Sequence, residues 1–514
     1  MDNGCGHSLA RLCLETVAEN IALACENSAI NGCYVYSEVA FSQLNGRHIQ
    51  EILDIAFSKG ILSQKHFGLL VHPNVLKLDL SKYSHSLVTD QVLLQLPCKK
   101  LVSLNLQNCD QISSQCLNQS LQNLPCLTNL NLSHCLKCCD SVLENIAKCC
   151  PNLEKLNLEM CQDVTDRGIQ AFLKPFTSSA KPPKISHLNV SSTSVTTTSF
   201  LILLNGLPLL HSLSFAQLLG TKKLSSANCN SIEQKHVQFQ LQHLDMLGTQ
   251  FFYYQIGQVD LILQNCHNLR GLKLSFEIDE PDVHNYPEVF FMKTAKHPTL
   301  ESFHLSALQG PHLQSQLFAL RYFEFERIEN YLKEIDNQLT SLHLADVKNL
   351  KISTFFNFNS LKHLTLSRCQ FIQPLKTSAK LSDFCSLQYI GLESLDFQKE
   401  ISLDLKQKFL YQQLMSHPKL LRLSLRSVPI EEEYLMKILR SSSGLHLEEL
   451  ILSCYDNVIV NTIGQIEKSC PNLKRLELNH CWVVTWYDIC QFNERMKTIG
   501  RELEVVTNEQ NDLI

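Results

Sequence analysis

Cysteine and histidine are the residue types whose number and spacing in this sequence could do chemistry. The 514-residue chain contains 22 cysteines and 20 histidines. The densest group is Cys135-x-x-Cys138-Cys139, followed by Cys149-Cys150, and cysteine pairs at such spacing can hold a tetrahedral zinc ion. However, Cys135 and Cys150 occupy packing positions of a repeat described below, and a helix predicted between the two halves spreads the other thiols apart. We therefore predict no metal site and no cofactor.

No catalytic motif accompanies these residues. The phosphate-binding, dinucleotide-binding, nucleophile-elbow and zinc-protease patterns are all missing from the sequence. The histidines are scattered, and several fall inside repeats, where we expect them to be solvated side chains of the concave face: His134, His187, His243 and His304. The sequence predicts that the chain is not an enzyme.

Leucine-rich segments that recur every 26 residues determine the architecture. Copies of the pattern L-x-x-L-x-L begin at Val75, Leu101, Leu127 and Leu153, and cysteine closes the second to fourth copies in the manner of a leucine-rich repeat. Less regular copies begin near Ile185, Leu210, Leu241, Leu269, Leu300, Leu339, Leu361, Leu387, Leu420, Leu447 and Leu473. One copy, a short strand and a helix, cannot bury its apolar face alone, so the copies stack around a continuous core.

We predict one α/β leucine-rich-repeat solenoid, a horseshoe of about 15 repeats over residues 71–514, preceded by a helical N-terminal cap over residues 1–70. Irregular spacing between Leu210 and Leu339 places insertions near residues 219–236 and 277–298. Extra residues in a solenoid form surface loops, which bind partners more often than their length alone would suggest.

The repeat sorts nine cysteines into two packing columns. One column closes the strand segment, and the other lies three residues before the first leucine. The first comprises Cys109, Cys135, Cys161, Cys369 and Cys481, and the second Cys98, Cys150, Cys266 and Cys470. Free buried cysteine behaves as a small hydrophobic residue, so we expect these thiols to point inward.

The polar residues between the leucines are predicted on the concave face of the sheet, because side chains alternate along a strand. They form two files: Ser103, Asn129, Lys155 and His187, and beside them Asn105, Asn131, Asn157 and Asn189. Polar filler on an open sheet explains such residues, but extended concave surfaces also suit a protein ligand. We expect this face to bind a protein ligand.

Composition excludes other partners. The net charge is −5, with no block of basic residues, so we expect neither nucleic acid nor an anionic membrane as a partner. No apolar run is long enough to span a bilayer, and residues 1–7 lack the basic and apolar parts of a signal peptide. These features predict a cytoplasmic or nuclear protein with reduced thiols.

The N-terminal segment does not follow the repeat. Ser8 is a suitable helix N-cap, and Leu9, Cys13 and Val17 are spaced by four, so they form one apolar stripe on the predicted helix, widened by Leu12. Such a stripe fits helix-in-groove recognition, in which an apolar face fills a cleft on a partner.

This stretch resembles the BC box, [S/T/P/A]-L-x-x-x-C-x-x-x-[aliphatic], through which substrate receptors of cullin–RING ubiquitin ligases bind Elongin C. Ser8, Leu9, Cys13 and Val17 match it. A BC box just before leucine-rich repeats is similar to the arrangement in ZYG-type, ZER-type and PRAME-type receptors. The resemblance implies a substrate-recognition subunit that binds Elongin C and Elongin B, a cullin and a client protein, and that performs no chemistry itself.

ZYG-type and ZER-type receptors also carry a cullin-contacting box and a C-terminal armadillo domain. Here Ile49 and Leu53 match the apolar positions of that box, which the resemblance implies contact a cullin. Asn45 and Gly46 replace its aliphatic–proline opening, so the choice of cullin is open. The repeats leave no room for an armadillo domain, and the substrate class of those receptors is not carried over.

Two alternatives remain. The N-terminal helix could only cap the solenoid of a scaffold or stoichiometric inhibitor that has no ligase function, since terminal repeats need a cover. An F-box receptor is the other alternative, although the segment lacks the usual Leu-Pro opening and tryptophan, and Trp482 and Trp486 lie in the last repeat.

Overall fold

The computed structural model divides the chain into two compact units, residues 1–244 and 245–514. The structure describes residues 9–20, 29–30, 33–34, 41, 43–83, 87–177, 182–216, 239–247, 265–277, 299–308, 323–351, 358–371, 386–397, 402–414, 417–455 and 458–507. The predicted insertions, near residues 219–236 and 277–298, lie outside these ranges apart from Glu277. Within them, no helix is long and apolar enough to cross a membrane.

The first unit opens with helices and continues as alternating strands and helices. The N-terminal elements are α1 Leu9–Glu19, the antiparallel pair β1 Ala29–Ile30 and β2 Cys33–Tyr34, α2 Gly46–Ser58 and α3 Gln64–Leu70. The repeats supply β3 Lys77–Asp79, α4 Asp90–Gln95, β4 Ser103–Asn105, α5 Ser114–Leu121, β5 Asn129–Asn131, α6 Asp140–Cys149, β6 Lys155–Asn157, α7 Asp166–Thr177, β7 His187–Asn189, α8 Thr197–Gly206, β8 Ser212–Ser214 and β9 His243–Met246. The division between the units falls within β9.

The strands β3 to β8 form a parallel sheet in register, so the same repeat position recurs on every rung. The central leucine of each strand, such as Leu104 or Leu130, points inward and is buried. All 15 predicted copies, from Val75 to Leu473, have a strand that begins two residues after the predicted start. The predicted α/β leucine-rich-repeat solenoid is therefore confirmed.

The cysteine after each strand links neighbouring repeats. All nine cysteines assigned to the two columns are buried, which confirms the predicted packing. The Cys135 thiol donates to the carbonyl of Leu106 at 3.1 Å, and the Cys161 thiol donates to the carbonyl of Leu132 at the same distance. His134, just before Cys135, has a φ of +59°, so the chain turns sharply there and aims the thiol inward.

The helices of the first unit are joined by a ladder of aspartates. Asp140, the first residue of α6, accepts hydrogen bonds from the backbone N–H and the hydroxyl of Thr165 in the next repeat, both at 2.7 Å. Asp90 accepts from Ser113 in the same way, and Asp166 from Thr196. Each carboxylate therefore satisfies a backbone donor of the next helix start, which fixes the spacing between repeats.

The second unit repeats the plan with longer strands. Its elements are β10 Gly271–Glu277, β11 Ser302–Leu308, β12 Phe323–Glu324, α9 Glu326–Glu334, β13 Ser341–Ala345, β14 Val347–Lys348, β15 His363–Ser367, β16 Gln370–Phe371, β17 Tyr389–Glu393, β18 Asp396–Phe397, α10 Leu403–Leu414, β19 Arg422–Arg426, α11 Glu432–Leu439, α12 Ser442–Leu445, β20 Glu449–Ser453, α13 Val460–Ser469, β21 Arg475–Asn479, α14 Trp486–Thr498 and β22 Glu504–Val506.

The second unit departs from the sequence expectation in two places. Short parallel pairs, β12 with β14 and β16 with β18, follow the main strands and were not predicted. The final strand β22, which pairs with β21, was not predicted, because Leu503-Glu504-Val505 is too short a copy of the pattern. Leu503 and Val505 are both buried against the last repeat.

Candidate partner-binding surfaces

Helix α1 lies on α2 through one narrow face. Leu14 is 9% exposed and Ala18 is fully buried, and both belong to the face of α1 that packs on α2. An ion pair between Lys59, which follows α2, and Glu19 joins the C-terminal ends of the two helices. The small Ala18 side chain allows the close approach, and Leu14 supplies the apolar contact.

The apolar stripe predicted on α1 does not belong to the face that packs on α2. Leu9 is 78% exposed, Leu12 is 47% exposed, Cys13 is exposed, and Val17 is half-buried. At about 100° of rotation per residue, Leu9, Cys13 and Val17 lie within roughly 80° of one another, away from Leu14 and Ala18. Ser8, the predicted N-cap, lies outside the described residues. The first unit thus presents an apolar helical stripe to solvent.

Helix α2, not α1, covers the first strand of the sheet. The Gln50 side-chain amide donates to the carbonyl of Asp79 at 2.9 Å and accepts from the Asp79 N–H at 3.0 Å. It therefore occupies the edge of β3 as the peptide group of another strand would. Gln50 also donates to the hydroxyl of Tyr83, whose ring is buried beneath the helix.

The pKa of the neighbouring Asp54 is lowered. Partial burial opposes ionisation of this carboxyl, but hydrogen bonds from Lys82, Tyr83 and Gln50 outweigh that effect. Burial and the same carboxylate raise the pKa of Tyr83. The cap is therefore held by a hydrogen-bonded network that includes an ion pair. The sequence did not predict this network, because nothing in the repeat pattern marks Gln50.

The residues matched to the cullin-contacting box have structural positions in α2. Ile49 and Leu53 are fully buried, so the structure places them in the core of the cap and not on a contact surface. Asn45 is the N-cap of α2, and its side chain accepts from the His48 N–H at 2.9 Å. An asparagine at this position therefore stabilises the start of the helix.

The two predicted files of the concave face lie in register. Ser103, Asn129, Lys155 and His187 are partners on consecutive strands, and so are Asn105, Asn131, Asn157 and Asn189. All eight side chains are exposed or half-buried. The geometry of the files is therefore confirmed, and their role in binding stays a prediction.

The asparagine file has a structural function that the sequence did not predict. The side-chain oxygens of Asn105, Asn131, Asn157 and Asn189 accept from the backbone N–H two residues later, at 2.9–3.1 Å. These Asx turns end each strand. Because the oxygens are used in this way, the amide N–H₂ groups are what the file presents to a ligand. One of them, from Asn189, donates to Glu159 at 3.3 Å.

In the second unit, two histidines stack on the same face. The rings of His304 and His343, on neighbouring strands, lie 3.8 Å apart with an interplanar angle of 12°. Burial lowers the pKa of His304 to about 3 and that of His343 to about 4, with further lowering from Lys273. His304 was expected to be solvated, but stacking makes it half-buried and uncharged at neutral pH.

The same face holds charged residues that neutralise one another. Ser367 donates to Glu393 at 3.1 Å and lies 3.4 Å from His343, and Arg426 pairs with Glu393. Arg368 makes two bonds to the buried Asp346, at 2.6 and 2.7 Å. Since Glu393 binds the serine and not the histidine, these contacts do not form a relay that would activate the hydroxyl.

The cysteine group around Cys135 does not assemble a metal site. No cluster of three or more His, Cys, Asp or Glu side chains that could hold a metal ion occurs in the described part of the chain. Cys135 and Cys150 are committed to the packing columns, and Cys149 donates to the Asn145 side chain at 3.4 Å. A hydrogen bond with Cys161, and burial, raise the pKa of Cys138.

These observations define the class of protein: the chain is a leucine-rich-repeat protein with a helical cap at its N-terminal end.

Neither a protein-family model nor a curated protein sequence matches it. Among solved structures it is similar to the complex of Rad7 and Elc1 from yeast, at 17% identity and a TM-score of 0.42, covering 99% of this chain and 100% of that chain. An internalin C2 from Listeria monocytogenes is similar at 17% identity and a TM-score of 0.28, covering 49% of this chain and 83% of that one. Likeness at this level gives no information about partners.

Proposed function

We propose that this chain is a substrate-recognition subunit of a cullin–RING ubiquitin ligase. Helix α1 docks Elongin C, which is bound to Elongin B, through Leu9, Leu12, Cys13 and Val17, and Ser8 is the predicted N-cap of that helix. The repeat surface holds a client protein. Ubiquitin transfer takes place on the assembled ligase, and the chain contributes positions and contacts only.

One observation carries this proposal: α1 buries Leu14 and Ala18 and leaves Leu9, Leu12 and Cys13 of the BC-box stripe exposed. A helix that served only as a cap would turn its largest apolar side chains inward, because burial of a leucine contributes about 2 kcal/mol. Leu9 and Leu12 do the opposite. Helix α2 covers the first strand through Gln50, so α1 is not needed to cover that strand.

The exposed small thiol at Cys13 fits helix-in-groove docking. A helix that enters a cleft needs large side chains to fill it and a small one where the backbones approach closely. Leu9 and Leu12 are the large residues, and Cys13 is the small one between Leu9 and Val17. The ion pairs Arg11–Glu15 and Lys59–Glu19 flank the stripe without crossing it.

A pull-down with purified Elongin B–Elongin C tests the proposal. The intact chain should retain the pair, and Leu9→Ser with Cys13→Phe should reduce retention more than tenfold, because it removes one anchor and puts a bulky ring at the close approach. Leu136→Ser is the matched control, since Leu136 is 53% exposed in the same unit and lies outside the stripe.

The melting temperatures of both variants should equal that of the intact chain, because the substituted side chains are exposed. Failure of the intact chain to retain the Elongin pair would overturn the ligase proposal and favour a scaffold or inhibitor. Equal retention by the double variant and the intact chain would assign binding to some other surface. Adding a purified cullin to the retained complex then tests whether this partner joins it.

A further inference from the structure

We infer that the concave face of the first unit binds an acidic, extended segment of a client protein. The surface concerned is the basic row, which we define as Lys77, Lys155, His187 and His243 at the first outward position of β3, β6, β7 and β9. Ser103, Asn129 and Ser212 occupy the rungs between them. This inference rests on the proposed function only in calling the ligand a client.

The register of the parallel strands places the residues of the basic row side by side. Lys77, Ser103, Asn129, Lys155, His187 and Ser212 are partners on consecutive strands of the parallel sheet. His243 continues the row, because its N–H donates to the carbonyl of His211 at 2.9 Å, as the N–H of Ser212 donates to Ser186 one strand earlier. At about 4.8 Å per strand the row spans roughly 29 Å, the length of about nine extended residues.

The basic side chains of the row are exposed. Lys77, Lys155, His187 and His243 are all exposed, and within the described residues neither lysine is held in an ion pair. The pKa of His187 is lowered first by partial burial and then by Lys155, His211 and His243, whereas Glu154 raises it, so Lys155 lies close enough to act on the neighbouring histidine.

The neighbouring polar groups present donors. In the asparagine file beside the basic row, the side-chain oxygens of Asn105, Asn131 and Asn157 accept in the Asx turns, so their amide N–H₂ groups are the part that can donate to a ligand. Two of the carboxylates beside the row are already engaged: Asp79 accepts from Ser81, and Glu159 accepts from Asn189. Donors and cations together favour a ligand rich in acceptors and negative charge, which for a protein means aspartate and glutamate.

A peptide fits these features better than a nucleic acid does. Neutral rungs separate Lys77 from Lys155, whereas nucleic-acid surfaces carry dense positive charge on a basic domain. The whole chain has a net charge of −5. In contrast, the row at the C-terminal end of the second unit is self-neutralised, since Arg422 and Arg475 both pair with Glu449.

Fluorescence anisotropy on the full chain tests the inference. The probe is a labelled 12-residue peptide of alternating glutamate and serine, and its neutral counterpart has glutamine in place of glutamate. We expect the acidic peptide to bind at least tenfold more tightly at low salt and to weaken as salt rises, since the contacts are partly exposed. Lys155→Glu should weaken binding about tenfold.

Lys148→Glu is the matched control, because Lys148 is an exposed lysine on the helix that precedes β6 and lies off the concave face. It should change binding by less than twofold. Equal binding of the acidic and neutral peptides, or equal effects of the two substitutions, would overturn the inference. Tighter binding of a 12-nucleotide single strand with the same dependence on Lys155 would also overturn it and assign the surface to nucleic acid.

Elongin retention by the same preparations separates the two proposals. Lys155→Glu should retain the Elongin pair as the intact chain does, because Lys155 lies on the sheet and not on α1. A chain that binds the acidic peptide but no Elongin would overturn the ligase proposal alone. A chain that retains Elongin and does not distinguish the peptides would overturn this inference alone.

Discussion

The thiols of Cys98, Cys109 and Cys150 lie in apolar surroundings, and burial raises the pKa of each to about 12. A thiol with such a pKa stays protonated at neutral pH, and only the thiolate is a good nucleophile or metal ligand. These residues therefore act as small core side chains, and Cys135 and Cys161 add weak hydrogen bonds between repeats. The abundance of cysteine reflects packing of the repeat.

The stacked histidines make stability depend on pH. His304 and His343 have pKa values of about 3 and about 4 in the folded chain, below the unfolded value of 6.5. At a pH between the folded and the unfolded pKa values, the unfolded chain binds more protons than the folded chain. The free energy of unfolding therefore falls as the pH falls below about 6.5. The charged groups that act on His343 include Lys273, Arg368, Asp346 and Glu393, and Lys273 also acts on His304.

We expect the urea midpoint to drop between pH 7.5 and pH 5.0, and the double variant His304→Gln, His343→Gln to lose at least half of that drop. Chemical denaturation at the two pH values measures it. His446→Gln is the control, since His446 is exposed and should leave the drop unchanged. A drop of the same size in the double variant would show that other groups cause it.

At the scale of single elements, the helices depend on contacts to the next repeat. The aspartate ladder requires α7 to approach α6 closely, and Gly168 makes this possible. A Cβ atom at residue 168 would lie 2.3 Å from a carboxylate oxygen of Asp140 and 3.1 Å from its Cα atom. Asp140 holds the start of α7 through Thr165, so it cannot move away without losing those bonds.

Gly168→Ala should therefore destabilise the chain by about 1–3 kcal/mol, although alanine favours helix formation by about 1 kcal/mol. Gly464→Ala in α13 is the matched control, because nothing lies within 4 Å of its added Cβ atom. That substitution should stabilise the chain by up to about 1 kcal/mol. Equilibrium denaturation compares them, and equal stability of the two variants would contradict the steric argument.

At the scale of the whole molecule, an amide side chain covers each terminal strand. Gln50 of α2 bonds both backbone groups of Asp79 on β3, and Asn493 of α14 does the same for Val505 on β22, at 2.7 and 2.8 Å. An uncovered strand edge offers unpaired N–H and C=O groups to other chains. Within the described ranges, these two side chains take the place of a further strand at β3 and at β22.

Asn493→Ala should expose the edge of β22 and promote self-association. Light scattering coupled to size-exclusion chromatography should show an apparent mass that rises with concentration more steeply than for the intact chain. Gln491→Ala, an exposed amide on the same helix, is the control and should behave as the intact chain does. If both variants behave alike, Asn493 does not protect the edge.

Periodicity alone predicted the repeat starts, the inward leucines and the two cysteine columns, because each depends on spacing within one repeat. It also placed Leu9, Cys13 and Val17 on one helix face. It did not predict which face of α1 is buried, or that Ile49 and Leu53 lie in the core. Those outcomes depend on how α1 and α2 pack.

The sequence by itself determined the repeating unit, since a leucine every few residues can be buried only by stacking copies. The tertiary structure decided what the polar residues do. Gln50 and Asn493 have no sequence signal, because their partners are backbone groups 29 and 12 residues away. The asparagine oxygens accept from the backbone that follows their own strands, and α2 covers the first strand while Leu9, Leu12 and Cys13 of α1 stay exposed. Both outcomes depend on contacts that form only when the elements pack.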